Sequence, residues 1–201
     1  MNMEMRIVAA LLIVAVWIYL LYVTKHCKLY FWNFIVGSFG LFIMLMVWVR
    51  PVVVQPLSRV VAALAGLFGD LTGTFTAFFK YGILFIETTQ ASISLQIDFE
   101  CSGIIEIIAF LSLLSFFAVY TARERILVGV MGCLAILVSN VIRVIVICEI
   151  IHFFGPKSYY VAHSVIGRIV FYFLSVLLYF YAFTKPQIVK TRLGKFSYGN
   201  N

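Results

Sequence analysis

The sequence predicts an all-α fold, that of a polytopic helical membrane protein. Of its 201 residues, 64% are hydrophobic and only 11% are charged, whereas about a quarter of the residues in soluble domains are charged. The mean hydropathy is +1.08, and several apolar runs approach the ~20 residues needed to cross a bilayer. The alternating pattern of a membrane β-barrel is absent. We therefore expect one integral membrane domain over residues 1–201, with about five full transmembrane helices.

Two transmembrane helices are predicted in the N-terminal part, residues 1–50, over residues 7–23 and 31–49. The first run could be a secretory signal, but no small-residue cleavage pattern follows it. Lys25 and Lys28 flank it as they would flank a membrane anchor. We therefore interpret the first run as a helix of the folded protein.

Residues 51–100 are predicted to form an extracytoplasmic or interfacial segment. The apolar stretch 57–86 is interrupted by glycines and charges, which predicts two short helices, either interfacial or re-entrant, instead of one span. The interrupting residues are Gly66, Gly69, Asp70, Gly73 and Lys80. Residues 88–100 alternate in polarity and contain β-branched residues, which predicts a short extended segment or hairpin before Cys101.

Three further spans, 104–120, 126–151 and 166–183, form the predicted core of residues 101–183, followed by a basic tail over residues 184–201. Cytoplasmic loops of membrane proteins carry an excess of Lys and Arg. If the spans alternate, one side collects eight basic residues, namely Lys25, Lys28, Arg123, Arg125, Lys185, Lys190, Arg192 and Lys195. This predicts an extracytoplasmic N-terminus and a cytoplasmic C-terminus. It also explains the net charge of +7 without a nucleic-acid partner.

Three polar residues in this apolar background suggest thiol chemistry. Cys101 lies directly before a predicted span, Arg143 lies inside the next one, and His163 lies at the start of the last. A cation beside a thiol lowers its pKa and can stabilise the oxyanion formed at an attacked carbonyl. A histidine can accept the thiol proton. The predicted topology brings all three to the outer side of the membrane, so we predict Cys101, Arg143 and His163 as catalytic residues.

Four further residues are predicted to support this site: Ser102, Glu106, Asn140 and Arg168. Asn140 either hydrogen-bonds the cluster or locks helix packing. Arg168 is either a second cation of the site or an anchor at the membrane surface. No cofactor or metal is expected, because the four cysteines lack CxxC or CxxH spacing.

Each principal residue also has a simpler interpretation. Cys101 could be a small buried hydrophobe or form a disulfide with Cys148. Arg143 could form a structural ion pair with Glu106 or Glu149, and His163 could be an ordinary interfacial histidine.

The three motifs together resemble the exosortase/archaeosortase family of membrane transpeptidases. They are Cys-Ser-Gly-Ile at residues 101–104, Asn-x-x-Arg at residues 140–143 and His-x-x-x-Gly at residues 163–167. The resemblance covers residues 87–183, and the short chain is similar to the short Gram-positive type, often called type G. It implies a bacterial cytoplasmic membrane protein with its active site on the extracytoplasmic face.

The resemblance implies a reaction as well as a location. The substrate would be a membrane-anchored protein with a C-terminal sorting signal, cleaved through a thioester on Cys101 and transferred to an acceptor nucleophile that is lipid- or glycan-linked. Arg143 would stabilise the thiolate or oxyanion and His163 would be the general base. The rival hypothesis is a noncatalytic membrane protein, either a transporter or an envelope-assembly partner, with a structural Arg-Glu pair.

Overall fold

The computed structural model describes residues 3–88 and 92–189, with side chains described from residue 12 onward. It confirms an all-α polytopic membrane protein. The described residues form six helices: α1 Met3–His26, α2 Tyr30–Trp48, α3 Arg50–Thr72, α4 Ile104–Phe116, α5 Ala122–Phe154 and α6 Pro156–Val189. Helices α2, α3, α5 and α6 are long and apolar enough to cross a membrane. Most of the predicted basic tail, residues 190–201, lies outside the described residues.

Helix α3 replaces the predicted pair of short helices, so that prediction is wrong. It runs unbroken for 23 residues, with Pro at its first turn, and ends where Gly73 adopts a left-handed φ of 70°. Its internal glycines are packing positions: a Cβ at Gly66 would overlap Ala77, and one at Gly69 would overlap Phe75. These glycines therefore allow close contact with a strand, and they do not interrupt the helix.

Helix α4 is shorter than the predicted span 104–120. Its 13 residues extend about 20 Å, less than the ~30 Å thickness of a hydrocarbon core. The helix ends because Phe117 is extended, and the Phe117 carbonyl accepts a hydrogen bond from Arg125. Helix α4 is therefore too short to be the full span predicted over residues 104–120.

Helix α5 is longer than predicted and has 33 residues. A capping box at Thr121 and Glu124 starts it. At ~1.5 Å per residue it extends about 50 Å, more than one bilayer core requires. The two halves of α5 pack against different elements of the protein.

A small antiparallel sheet joins α3 to α4. It contains β1 Phe75–Phe78, β2 Ile83–Glu87 and β3 Ser92–Gln96, in the order β1-β2-β3. The predicted extended segment is thus the last strand of a meander that begins earlier in the chain. Every second residue of β2 is buried, so one face of the sheet is apolar and packs on α3.

The buried apolar residues form two hydrophobic cores. The first joins α3 and the buried face of the sheet to the second half of α5, residues 144–151. The second joins α4 and α6 to the first half of α5 around Ile136. Asn140 and Arg143 are buried between these two stretches of α5. These two buried polar residues of α5 therefore lie at the boundary between the two cores.

Helix α6 contains two π-helical turns, Ala162–Ile166 and Phe180–Thr184. Such turns insert an extra residue into a helix and are frequent at functional sites. The first contains His163. Directly after it, a Cβ at Gly167 would lie 2.7 Å from Ile147 of α5, so the glycine allows α6 to approach α5 closely.

Candidate active site

The loop between β3 and α4 is folded by hydrogen bonds to its own backbone. Oδ1 of Asp98 accepts the N–H groups of Glu100 and Cys101, at 3.1 and 3.3 Å. Ser102 Oγ donates to the Phe99 carbonyl at 3.0 Å. Gly103 then adopts a left-handed φ of 79° as the N-cap of α4. This loop, residues 97–103, is called the cysteine loop. It holds Cys101 three residues before α4, and the Ser102 hydroxyl donates its hydrogen bond to the loop backbone.

Cys101 is buried, with 7% of its surface exposed. Its Sγ lies 3.8 Å from Nε2 of His163 and 3.9 Å from a terminal guanidinium nitrogen of Arg143. The structure thus brings the three predicted catalytic residues together from a loop and two helices.

The pKa of the Cys101 thiol is raised to about 11, chiefly by burial and to a smaller extent by Asp98 and Glu100. Arg143 and, more weakly, Arg168 lower this pKa, but they do not offset the desolvation. Arg143 thus lowers the thiol pKa, as expected, but not far enough to populate the thiolate at neutral pH. At neutral pH Cys101 is a thiol, and a base must remove its proton when it reacts.

Arg143 is directed at the cysteine loop. One terminal nitrogen reaches Sγ of Cys101, and the other donates to the Glu100 carbonyl at 3.5 Å. The guanidinium also lies 5.7 Å from the centre of the Phe171 ring. Glu149, one proposed ion-pair partner, instead accepts a hydrogen bond from Thr74 at 2.7 Å. The contacts of Arg143 are thus with the cysteine loop and not with that carboxylate.

His163 is oriented by an aromatic ring. Tyr159 stacks on the imidazole with the ring centres 5.6 Å apart and the planes 8° from parallel. Nδ1 of His163 is buried and has no hydrogen-bond partner in the protein. By contrast, Nδ1 of His152 lies 2.8 Å from the Glu87 carbonyl, beside the sheet. Stacking, in place of a third polar group, therefore holds the imidazole against the thiol.

Asn140 belongs to the site. Its side-chain amide donates to the Cys101 carbonyl at 2.6 Å, and the residue is fully buried. It therefore fixes the loop from the side of α5. Cys101 and Cys148 are both free, so the structure does not contain the alternative disulfide.

A cavity of about 280 Å³ opens beside the guanidinium of Arg143. Arg168 and Glu106 line it, together with Phe99, Glu100 and Phe171. Oε2 of Glu106 is buried and has no hydrogen-bond partner. Residues of α4 and α6 line this cavity, and Arg168 and Glu106 thus line the same cavity as Arg143.

The prediction from sequence missed Asp98 and assigned Tyr159 only to the aromatic belt of the membrane. Both had a local signal. Asp98 precedes Cys101 by three residues, a spacing at which Asp commonly binds the following backbone N–H groups. Tyr159 precedes His163 by four residues, which places both on one helix face.

The chain matches a known family of membrane proteins. The family model for transmembrane exosortase (Exosortase_EpsH) matches residues 2–180. The match includes the N-terminal half, beyond the residues that carry the sequence resemblance. No curated protein and no solved structure gives a significant match. Because the family model covers most of the chain, the protein belongs to the transmembrane exosortase family of membrane transpeptidases.

Proposed function

We propose that this protein is a cysteine transpeptidase that cleaves the C-terminal sorting signal of membrane-anchored proteins and transfers the product to an acceptor. One observation carries the proposal: Nε2 of His163 and the guanidinium of Arg143 lie 3.8 and 3.9 Å from Sγ of Cys101. A nucleophile, a base and a fixed cation are the groups that acyl transfer through a thioester requires.

The reaction starts from the neutral thiol. His163 accepts the thiol proton as Sγ attacks the scissile carbonyl, and Arg143 stabilises the negative charge that develops. Collapse of the tetrahedral intermediate breaks the C–N bond, and His163 returns the proton to the leaving amine. The thioester carbon is then attacked by the acceptor nucleophile, which restores the thiol.

Unpaired polar atoms near the thiol support binding of a polar substrate segment. Asn140 Oδ1, Arg143 Nε and His163 Nδ1 are buried without a hydrogen-bond partner, and so is Glu106 Oε2 in the adjoining cavity. Buried polar groups are nearly always paired in folded proteins. Arg143 and Glu106 line this cavity, and a peptide backbone lying in it has the donors and acceptors to pair with these two side chains.

The length of α5 supports an active site at the outer membrane boundary. From Arg125, predicted at the cytoplasmic surface, to Arg143 the helix rises about 27 Å, close to the ~30 Å of a hydrocarbon core. The remaining part of α5 packs on the sheet and α3. With the N-terminus outside and the C-terminus in the cytoplasm, Cys101 meets the cleavage motif of a substrate whose own helix lies in the membrane. We assign the protein to the short Gram-positive type.

The test is a search for a covalent intermediate. The chain is expressed with membrane-anchored proteins that carry candidate sorting signals, and adducts are sought by mass spectrometry. We expect an adduct on Cys101 that is absent from Cys101→Ser and retained in Cys148→Ser, because Cys148 is also buried and free. Released product with an added acceptor mass would identify transfer, whereas a free carboxylate would identify hydrolysis.

Processing that persists in Cys101→Ser would contradict the assignment of the nucleophile. If wild-type protein processed none of the sorting signals and Cys101 reacted no faster than Cys148 with thiol reagents, the noncatalytic alternative would be favoured.

A further inference from the structure

A second polar cavity lies on the other side of Phe99 from the cavity beside Arg143. Its volume is about 390 Å³. It is formed between the first turns of α3, the sheet and the residues that follow β3. Its polar lining consists of Gln55, Ser58, Arg59, Lys80, Gln96 and Asp98.

The charges of this cavity favour an anion. Arg59 and Lys80 bring two exposed cations to its wall. Arg50 adds a third beside it, with its guanidinium 3.9 Å from the centre of the Phe99 ring. Asp98 is the acidic residue of the lining, and its Oδ1 already accepts two backbone N–H groups. The net charge at the cavity is therefore positive.

The position of these cations is unusual for a membrane protein. Charge counting in the sequence places residues 50–101 outside, where basic residues are not enriched. Arg50 and Arg59 of α3 nevertheless gather around one cavity with Lys80, which lies between β1 and β2. Orientation in the membrane does not explain this cluster, whereas binding of an anion does.

An unpaired hydroxyl gives independent support for a ligand. Ser58 lines the cavity and is 5% exposed, and its Oγ is buried without a hydrogen-bond partner. A buried hydroxyl without a partner costs free energy. A ligand with acceptor oxygens would pair with it.

We propose that this cavity binds a phosphate group, carried either by a phospholipid headgroup or by a soluble phosphorylated molecule. Arg59 and Lys80 donate charge-assisted hydrogen bonds to the phosphate oxygens. The Ser58 hydroxyl donates a further hydrogen bond to one of these oxygens. Gln55 and Gln96 contact the polar remainder of the ligand.

The bound phosphate would lie close to the cysteine loop. Asp98 and Phe99 form part of the cavity wall, and Asp98 holds the Cys101 N–H. Phe99 also lines the cavity beside Arg143. Phe99 is thus part of the wall of both cavities.

The experiment measures binding to the full chain in a maltoside detergent and a phosphate-free buffer. Isothermal titration calorimetry is carried out with dihexanoyl phosphatidylglycerol, with glycerol 3-phosphate and with dihexanoylglycerol, which lacks phosphate. We expect Arg59→Gln and Lys80→Gln each to weaken binding of the phosphate compound about tenfold, the loss typical of one charge-assisted hydrogen bond. Lys157→Gln is the matched control, because Lys157 is exposed and lies outside the cavity.

The outcomes are distinct. Binding of the phosphatidylglycerol alone identifies a lipid headgroup, and equal binding of glycerol 3-phosphate identifies a soluble ligand. The proposal is overturned if dihexanoylglycerol binds as tightly, if neither phosphate compound binds, or if Lys157→Gln weakens binding as much as the cavity variants. Turnover is not needed for this measurement, so its result is independent of the reaction proposed for Cys101.

Discussion

Nε2 of His163 lies 3.8 Å from Sγ of Cys101, although 62 residues separate the two in sequence. The contact depends on two local features. The loop held by Asp98 presents the thiol, and the π-helical turn Ala162–Ile166 carries the imidazole. Since burial keeps Cys101 protonated at neutral pH, the histidine contact determines when the thiol can react.

The first prediction concerns the pH dependence of Cys101. Because its pKa is raised to about 11, the thiolate fraction should increase about tenfold per pH unit below that value. We expect the alkylation rate of Cys101 to rise in the same way between pH 7 and 10. The measurement uses a small iodoacetamide reagent on a variant with the other three cysteines replaced by serine. A rate that levels off near pH 8 would contradict burial as the dominant effect.

The second prediction uses two substitutions with opposite expected effects on the pKa of Cys101. Arg143 lowers the Cys101 pKa and Asp98 raises it. Arg143→Gln should therefore slow alkylation at pH 8 by about tenfold, whereas Asp98→Asn should accelerate it by about threefold. Asn retains an oxygen that can accept the loop N–H groups.

Asp70→Asn serves as the control, because Asp70 is exposed near the end of α3 and should leave the rate unchanged. If both Arg143→Gln and Asp98→Asn slowed the reaction, loss of structure would explain the result better than electrostatics.

The third prediction separates His163, beside the thiol, from His152, beside the sheet. His163→Ala should reduce formation of the Cys101 adduct by about a hundredfold or more, because the thiol loses its base. His152→Ala should have little effect, because His152 contacts the Glu87 carbonyl and not the thiol. Adduct formation is followed by mass spectrometry over time. Equal losses in both variants would argue against a specific role for His163.

The fourth prediction concerns the ring that stacks on His163. Tyr159→Phe keeps the stacked ring and should retain most of the adduct formation. Tyr159→Leu removes the aromatic contact and should reduce adduct formation about fivefold, since stacking contributes ~1 kcal/mol to the orientation of the imidazole. The pH profile of the reaction distinguishes the two roles: a change in the phenylalanine variant would indicate that the hydroxyl itself takes part.

The fifth prediction compares two left-handed glycines. Gly103→Ala and Gly73→Ala should each lower stability by about 1–2 kcal/mol, because both residues have positive φ. Thermal unfolding in detergent measures this loss. Only Gly103→Ala should also change the reactivity of Cys101, because Gly103 belongs to the loop that carries Cys101 and a Cβ there would contact Asn140, whereas a Cβ at Gly73 would have no neighbour within 4 Å. Unchanged Cys101 reactivity in Gly103→Ala would mean that the loop tolerates displacement.

Some features of the protein follow from the sequence alone. Composition and apolar run lengths determine a helical membrane protein, because burial of backbone hydrogen bonds in lipid permits few alternatives. The spacing of Cys101, Arg143 and His163 within predicted helices was enough to nominate the site, since each is a rare polar residue in an apolar background.

The tertiary structure decided the rest, because the deciding contacts are not local in sequence. Gly66 and Gly69 look like helix interruptions until β1 is seen packed against them. The Cys101 pKa depends on how deeply the loop is buried, and this outweighs the arginine that the sequence made visible. Desolvation and close packing arise only when segments distant in sequence come into contact. The hydrophobic periodicity of one segment does not identify the segments against which it packs.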